Sequence, residues 1–172
     1  MSKPKVIVVD ENDKVIGYKE RNDRDQKDII RVAAVWIENE KGEVLIAQRS
    51  WNKSHHPGKW GPAAAGTVEE GETYEDNILK EVEEEIGIVI DKNAAVFVGS
   101  FFAESIHKYF TGTFFAKISS ETKFVLQEEE VAAVKWVSWE WLENDVLENP
   151  ENYLISLERG IMKNIKEWKQ TL

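Results

Sequence analysis

Cysteine is missing from all 172 residues. That excludes disulfides, thiolate nucleophiles and cysteine-bound zinc, and it suits a cytoplasmic protein. No apolar run approaches the roughly 20 residues of a membrane span. No positively charged and then apolar leader opens the chain, so no secretory signal and no membrane partner are expected. Runs of Lys or Arg are also absent, and the net charge is −10. A chain this acidic repels a long polyanion, which argues against long nucleic acid and capped RNA as partners. A small anionic substrate is compatible only if bound metal reverses the local sign. Hydrophobic residues make up 42% and charged residues 31%. Those proportions describe a globular protein with one real core, read here as a single domain over residues 1–172.

The chain alternates between the two structural periods. Lys5–Val9 and Val15–Lys19 flank the turn DENDK and read as an N-terminal β-hairpin extension within residues 1–29. ERNDRDQKD reads as a charged connector. Ile30–Ile37 is rich in β-branched residues, and Val44–Gln48 returns after a Gly42 turn, predicting a hairpin over Ile30–Arg49. RSWNKSHHPGKWGPAAAG follows as a loop entering a short strand. Thr73 to Ile86 is predicted helical, with Thr73 and Asp76 as a capping-box variant and Gly87 as the C′ residue. Ile78, Leu79, Val82 and Ile86 give it one apolar face. Strands are expected again at Ala95–Phe102, Lys108–Ile118 and Val131–Val137. One helix then runs from Ser138 to Leu147, and a C-terminal helix within 149–172 starts at Asn149-Pro150 and reaches about Lys169. The fold class implied is α/β, a mixed sheet between helices.

The helix at 73–86 poses a question of charge. Nine acidic residues fall between Glu69 and Glu85, against one base, Lys80. Like charges at i,i+4 spacing destabilise a helix. At about 100° per residue, Glu84 and Glu85 lie within about 60° of Glu81, while Glu83 points nearly opposite. Three clustered carboxylates do not all ionise cheaply without a cation. Hard divalent ions take oxygen ligands, and Mg²⁺ combines carboxylates with waters and substrate phosphates. EVEEE alone reads as well as a solvated acidic face; the GTVEEGE loop upstream is what separates the readings.

Gly66, Glu72, Lys80-Glu81-Val82, Glu84-Glu85 and Gly87-Ile88 stand at the spacing G-x5-E-x7-R-E-U-x-E-E-x-G-U, with Lys80 in place of Arg. This resembles the Nudix box, and the likeness extends over about Ile30 to Leu147. The upstream loop leans toward the subgroup similar to isopentenyl-diphosphate isomerase. The resemblance implies an α/β/α sandwich and hydrolysis of a diphosphate linkage in a nucleoside diphosphate derivative or nucleoside triphosphate. Mg²⁺ or Mn²⁺ would serve as cofactor, and water would attack phosphorus. It implies Glu81, Glu84, Glu85 and the Gly66 carbonyl as metal ligands. Glu84 is the first choice of general base and Glu130 the second, so the catalytic set is Glu84, Glu81 and Glu130. Glu72 pairs with Lys80, which lacks the two-pronged geometry of Arg.

Arg49 and Lys53 are the expected substrate contacts, with Lys59 as surface charge. His55 and His56 read mainly as exposed loop residues. Core packing is the expected role of Trp51, Trp60, Phe101, Phe102 and Tyr109. Isomerase chemistry needs a cysteine before the box glycine and a histidine after it; Ala65 and Thr67 stand there. A non-catalytic binding module of the same fold would not need all three box carboxylates. The amphipathic segment holding Leu157, Ile161, Ile165 and Trp168 packs on its own domain or joins two copies as a homodimer.

Overall fold

The computed structural model describes residues 4–172, so the first three residues of the N-terminal extension lie outside the described part. The first hairpin is β1 (Lys5–Val9) and β2 (Val15–Glu20), paired antiparallel. β1 also pairs with the start of β3 (Ile29–Glu38), at Val8↔Ile30 and Val9↔Ile29. β3 is the spine of the sheet. Along its full length it lies parallel to β8 (Lys108–Lys117), which in turn pairs antiparallel with β7 (Val96–Glu104).

The hairpin expected over Ile30–Arg49 is much shorter than its sequence implies. β3 and β4 (Glu43–Arg49) pair only at Ile37↔Leu45 and Glu38↔Val44, beside the turn. They then splay apart. β4 takes β5 (Trp60–Pro62) and β9 (Val131–Ser138) as partners, and β3 takes β6 (Ala64–Thr67). The loop beyond Arg49 therefore returns as two short strands, one on each splayed arm. This fork, which no local pattern announces, frames the site described below.

Alternation along the strands separates two cores. Ala33, Val35 and Ile37 of β3 join Phe114 and Ala116 of β8 beneath α1 (Tyr74–Ile86), which buries Ile78, Val82 and Ile86. Ala34, Trp36 and Phe115 face the other way. They pack with Leu142 and Val146 of α2 (Trp139–Glu148) and with Leu157, Ile161 and Ile165. The sheet is thus sandwiched between helices, an α/β/α arrangement. Among the described residues no helix is long and apolar enough to cross a membrane.

The helix ends follow their sequence signals. Thr73 accepts from the Asp76 N–H at 3.1 Å while the Asp76 carboxylate accepts from the Thr73 N–H at 3.0 Å, a reciprocal capping box. Gly87 closes α1 in the left-handed region at φ 72°, its N–H donating to the Glu83 carbonyl at 3.1 Å.

The C-terminal helix begins later than expected. Pro150–Asn152 make one 3-10 turn, and Tyr153 is extended. Tyr153 is buried, bridges to Trp60, and gives its hydroxyl to Asp145. The next residue, Leu154, donates its N–H to the Trp60 carbonyl at 2.8 Å. Docking against β5 outweighs the local start signal. Helical backbone begins at Ile155, passes through a π-helical stretch at Leu157–Met162 and continues as α3 (Lys163–Lys169). The bulge holds Gly160 against the Phe101 ring, where a Cβ would come within 2.0 Å. The apolar stripe of this segment packs on the chain's own sheet.

Gly87→Ala is expected to destabilise the fold by about 1–3 kcal/mol or more, from left-handed strain plus contact with Val125, where a Cβ would come within 2.7 Å. Gly17→Ala meets nothing within 4 Å and should change stability by less than about 0.5 kcal/mol. Urea denaturation of both variants measures the contrast.

Candidate active site

A cavity of about 470 Å³ opens in the fork between β3 and β4. Ile30, Val32 and Ala34, alternate residues on one face of β3, line it. Glu81, Glu84 and Glu85 of α1 reach the same cavity, as does Gly66 of β6. The helical phase read from the sequence therefore brings the three expected carboxylates together. Gly66 is required by proximity: a Cβ there would lie 2.3 Å from the Glu81 carboxyl. Glu85 accepts a long hydrogen bond from the Ala65 N–H at 3.3 Å.

Two contacts hold α1 in this register. Lys80 Nζ lies 2.5 Å from Glu72 Oε1 and 3.7 Å from Glu69. The other oxygen of Glu72 accepts from the Glu69 N–H and from Asn77 Nδ2, each at 3.0 Å. Lysine supplies one prong, and Asn77 occupies the oxygen that an arginine's second prong would have taken. Asn77 is fully buried and also donates to the Thr67 carbonyl at 3.0 Å and, more weakly, toward Glu81 at 3.4 Å. The sequence carried no signal for it beyond a polar residue beside Ile78.

The same cavity also collects bases. Arg49 lines the cavity, but its Nε and Nη2 are engaged by the His55 carbonyl at 3.2 and 3.1 Å. Lys53 is paired at 2.6 Å with Glu130, so a predicted substrate contact and a predicted base neutralise each other. The three histidines of the chain, His55, His56 and His107, all line this cavity. Arg21 and Arg24 line it too, delivered by the connector that read only as charged. Among the five aromatics considered, Tyr109 alone lines the cavity. Core packing does not describe Trp51 or Phe102, which are 68% and 47% exposed. Trp51 covers the left-handed Gly58, and Phe102 stacks edge-on with Phe110, which itself packs against the core beneath α1. Trp60 is half-buried under Lys135, whose Nζ is 4.4 Å from its ring centre.

The NUDIX domain family model matches residues 28–157. The chain belongs to the Nudix hydrolase family. It is 38% identical over 113 residues to an uncharacterized Nudix hydrolase of Listeria monocytogenes, spanning 65% of each chain. It is 30% identical over 162 residues to the prenyl-diphosphate phosphatase of Methanosarcina mazei, covering 92% of this chain and 94% of that one. The crystal structure of DR0079 from Deinococcus radiodurans shares the fold, with a TM-score of 0.77 at 23% identity over 92% of this chain and 98% of that one.

Nudix hydrolases use divalent metals, and the donor set here suits a hard cation. Burial pushes the Glu81 carboxyl up to about 7, with Glu84 and Glu72 adding repulsion against Lys80 and Asn77. Burial pushes Glu85 up to about 8; Glu81 and Glu130 add to it, while the Ala65 N–H and Arg49 oppose it. Carboxyl groups this reluctant to ionise gain most from a cation that replaces their protons. Among the described residues no three carboxylate or imidazole groups already stand as a coordination shell.

The raised pKa values carry a sign. Both carboxyls bind protons more tightly folded than unfolded, where glutamate titrates near 4.5. The stability they contribute is full below about pH 4.5 and is lost as pH rises through about 7 and 8. In EDTA, the melting temperature should therefore fall between pH 5 and 8. Millimolar Mg²⁺ should raise it, most strongly at the upper end. A flat profile in EDTA, measured by differential scanning fluorimetry, would contradict the assignment. Gly66→Ala should displace the Glu81 carboxyl by about 1 Å and cost on the order of 100-fold in kcat/KM, with little loss of melting temperature.

Proposed function

We propose that this chain hydrolyses a diphosphate linkage in a small nucleoside diphosphate derivative or nucleoside triphosphate, with Mg²⁺ or Mn²⁺ as cofactor and water attacking phosphorus. The observation that carries this reading is the cavity that Glu81, Glu84, Glu85 and Gly66 share with Arg49, Lys53 and the histidines. Glu81, Glu84, Glu85 and the Gly66 carbonyl would hold the cation. When bound, it supplies the positive charge that neutralises the non-bridging oxygens and the leaving phosphate.

The chain's own groups take the remaining roles. Glu84 is the best-placed base, since it lines the cavity while remaining exposed to water. Glu81 is held by Asn77 and Gly66 and serves to position rather than to accept the proton. Glu130 is engaged by Lys53, so it follows Glu84 as a candidate base. The free edge of the Arg49 guanidinium orients the phosphoryl oxygens, and Lys53 joins it once substrate phosphate displaces Glu130.

A second reading, a diphosphate of an apolar alcohol, is favoured by one feature. Ile30, Val32, Leu154, Ile155 and Ile161 form an apolar wall in the cavity. The Methanosarcina mazei relative, aligned over nearly its whole length, is named a prenyl-diphosphate phosphatase.

Phosphate release from nucleoside triphosphates, nucleotide sugars, dinucleotides and prenyl diphosphates, each with Mg²⁺ or Mn²⁺, separates the two readings. Glu84→Gln is expected to lower turnover by about 10²–10⁴-fold while leaving the urea midpoint close to that of the wild type. A fully active Glu84→Gln protein removes Glu84 as the base. Tight binding of a nucleotide without turnover, in wild type with metal, would instead mark a binding module.

A further inference from the structure

We propose that Arg24, His55 and His107 form a second anion subsite, which binds a phosphoryl group on the substrate remote from the scissile diphosphate. This rests on the diphosphate reading above. The three side chains come from separate segments: the connector after β2, the loop after β4 and the turn between β7 and β8. Tertiary structure alone gathers them in one cavity. The His55 and His107 rings meet edge to face with centres 6.1 Å apart. Arg24 stands close enough to lower the basicity of His107, after the larger effect of burial.

What distinguishes this cluster is the lack of an assigned counter-ion. Arg24 donates its Nε to the Arg21 carbonyl at 3.0 Å, which leaves the guanidinium's outer edge uncommitted. Asp28 is the carboxylate that acts on it. Its oxygens are already taken by Lys19 at 2.7 and 2.9 Å and by the Asp25 N–H at 2.7 Å. Elsewhere in the same cavity, Lys53 has Glu130. No carboxylate forms an ion pair with Arg24, His55 or His107 among the described residues. In a chain of net charge −10, a group of donors left without acids is matched to an anion that arrives with the ligand.

The strand register sets the separation. Gly66 pairs with Ala33 and Lys108, next to His107, pairs with Ile29. Four residues of β3 cover about 13 Å, further than one diphosphate group reaches. The floor between the two ends holds Ile30, Val32 and Tyr109 together with Thr111. Thr111 is 2% exposed, and its buried hydroxyl has no partner. Thr111 pairs with Val32, one residue from the Gly66 end of this path. The substrate class is therefore a diphosphate whose organic portion carries a second phosphoryl group at its other end.

The first test needs no turnover. The histidine C2 proton signals are followed by NMR while inorganic phosphate is titrated in EDTA. The His55 and His107 signals should shift and saturate, with the shift retained in Arg24→Lys and weakened at least tenfold in affinity in Arg24→Gln. Unmoved signals, or equal shifts in Arg24→Gln and wild type, overturn the subsite. The second test compares paired diphosphates that differ only in a remote phosphate monoester, such as a dinucleotide and its 2′-phosphorylated counterpart. Arg24→Gln should lower kcat/KM at least fivefold more for compounds with a remote phosphoryl group than for those without one; equal losses overturn the proposal. A phosphate-induced shift in a protein that cleaves nothing would sink the hydrolase reading and leave the subsite standing. Cleavage without any shift would do the reverse.

Discussion

The contact between the Glu81 carboxyl and the bare Cα of Gly66 is the constraint around which the site is built. It requires α1 to lie against β6 at one rotation and one height. The capping box sets where the helix begins. The left-handed Gly87 sets where it ends. Asn77 bridges the strand, the preceding loop and the helix, so that Glu72, Thr67 and Glu81 cannot move independently. The helix face beneath, with Ile78, Val82 and Ile86 in the core, holds the rest. The acidic face is costly as a bare surface, and apolar burial on the adjoining face offsets it.

Charge is distributed unevenly for a reason. The chain as a whole is acidic, yet the cavity collects arginine, lysine and every histidine. Lys53 is balanced by Glu130 and Arg21 by Glu69, while Arg49 is held by a backbone carbonyl. The others share the opening with the carboxylates of α1. A small, multiply charged anion that arrives with a cation suits both sets at once. A long polyanion would meet repulsion as soon as it left the cavity.

The N-terminal hairpin is tied to this machinery. Asp13, held at φ 60° in the first turn, accepts from Arg31 Nε at 2.7 Å and from the Tyr74 hydroxyl at 3.0 Å. Arg31 lies over the Tyr74 ring, 5.2 Å from its centre. Tyr74 is the first residue of α1, so hairpin, spine strand and acidic helix share one polar joint. The same hairpin fixes the connector that delivers Arg21 and Arg24 to the cavity.

How much of this the sequence decided by itself follows from the range of the forces involved. Periodicity, caps and turn glycines act within a few residues. Most strands, the limits of α1 and the common face of Glu81, Glu84 and Glu85 were therefore legible, and the likeness to the Nudix box added the pairing of Lys80 with Glu72. Contacts between distant segments leave no such local trace. The splay of β3 from β4 depends on which strands compete for their edges. The late start of the C-terminal helix depends on Tyr153 docking to Trp60. The burial of Asn77 and the pairing of Lys53 with Glu130, 77 residues away, depend on the finished packing. The same holds for Arg24, His55 and His107. Each is an unremarkable polar residue in its own stretch of chain, and only the assembled sheet, by setting β8 beside β3, brings the three to one cavity.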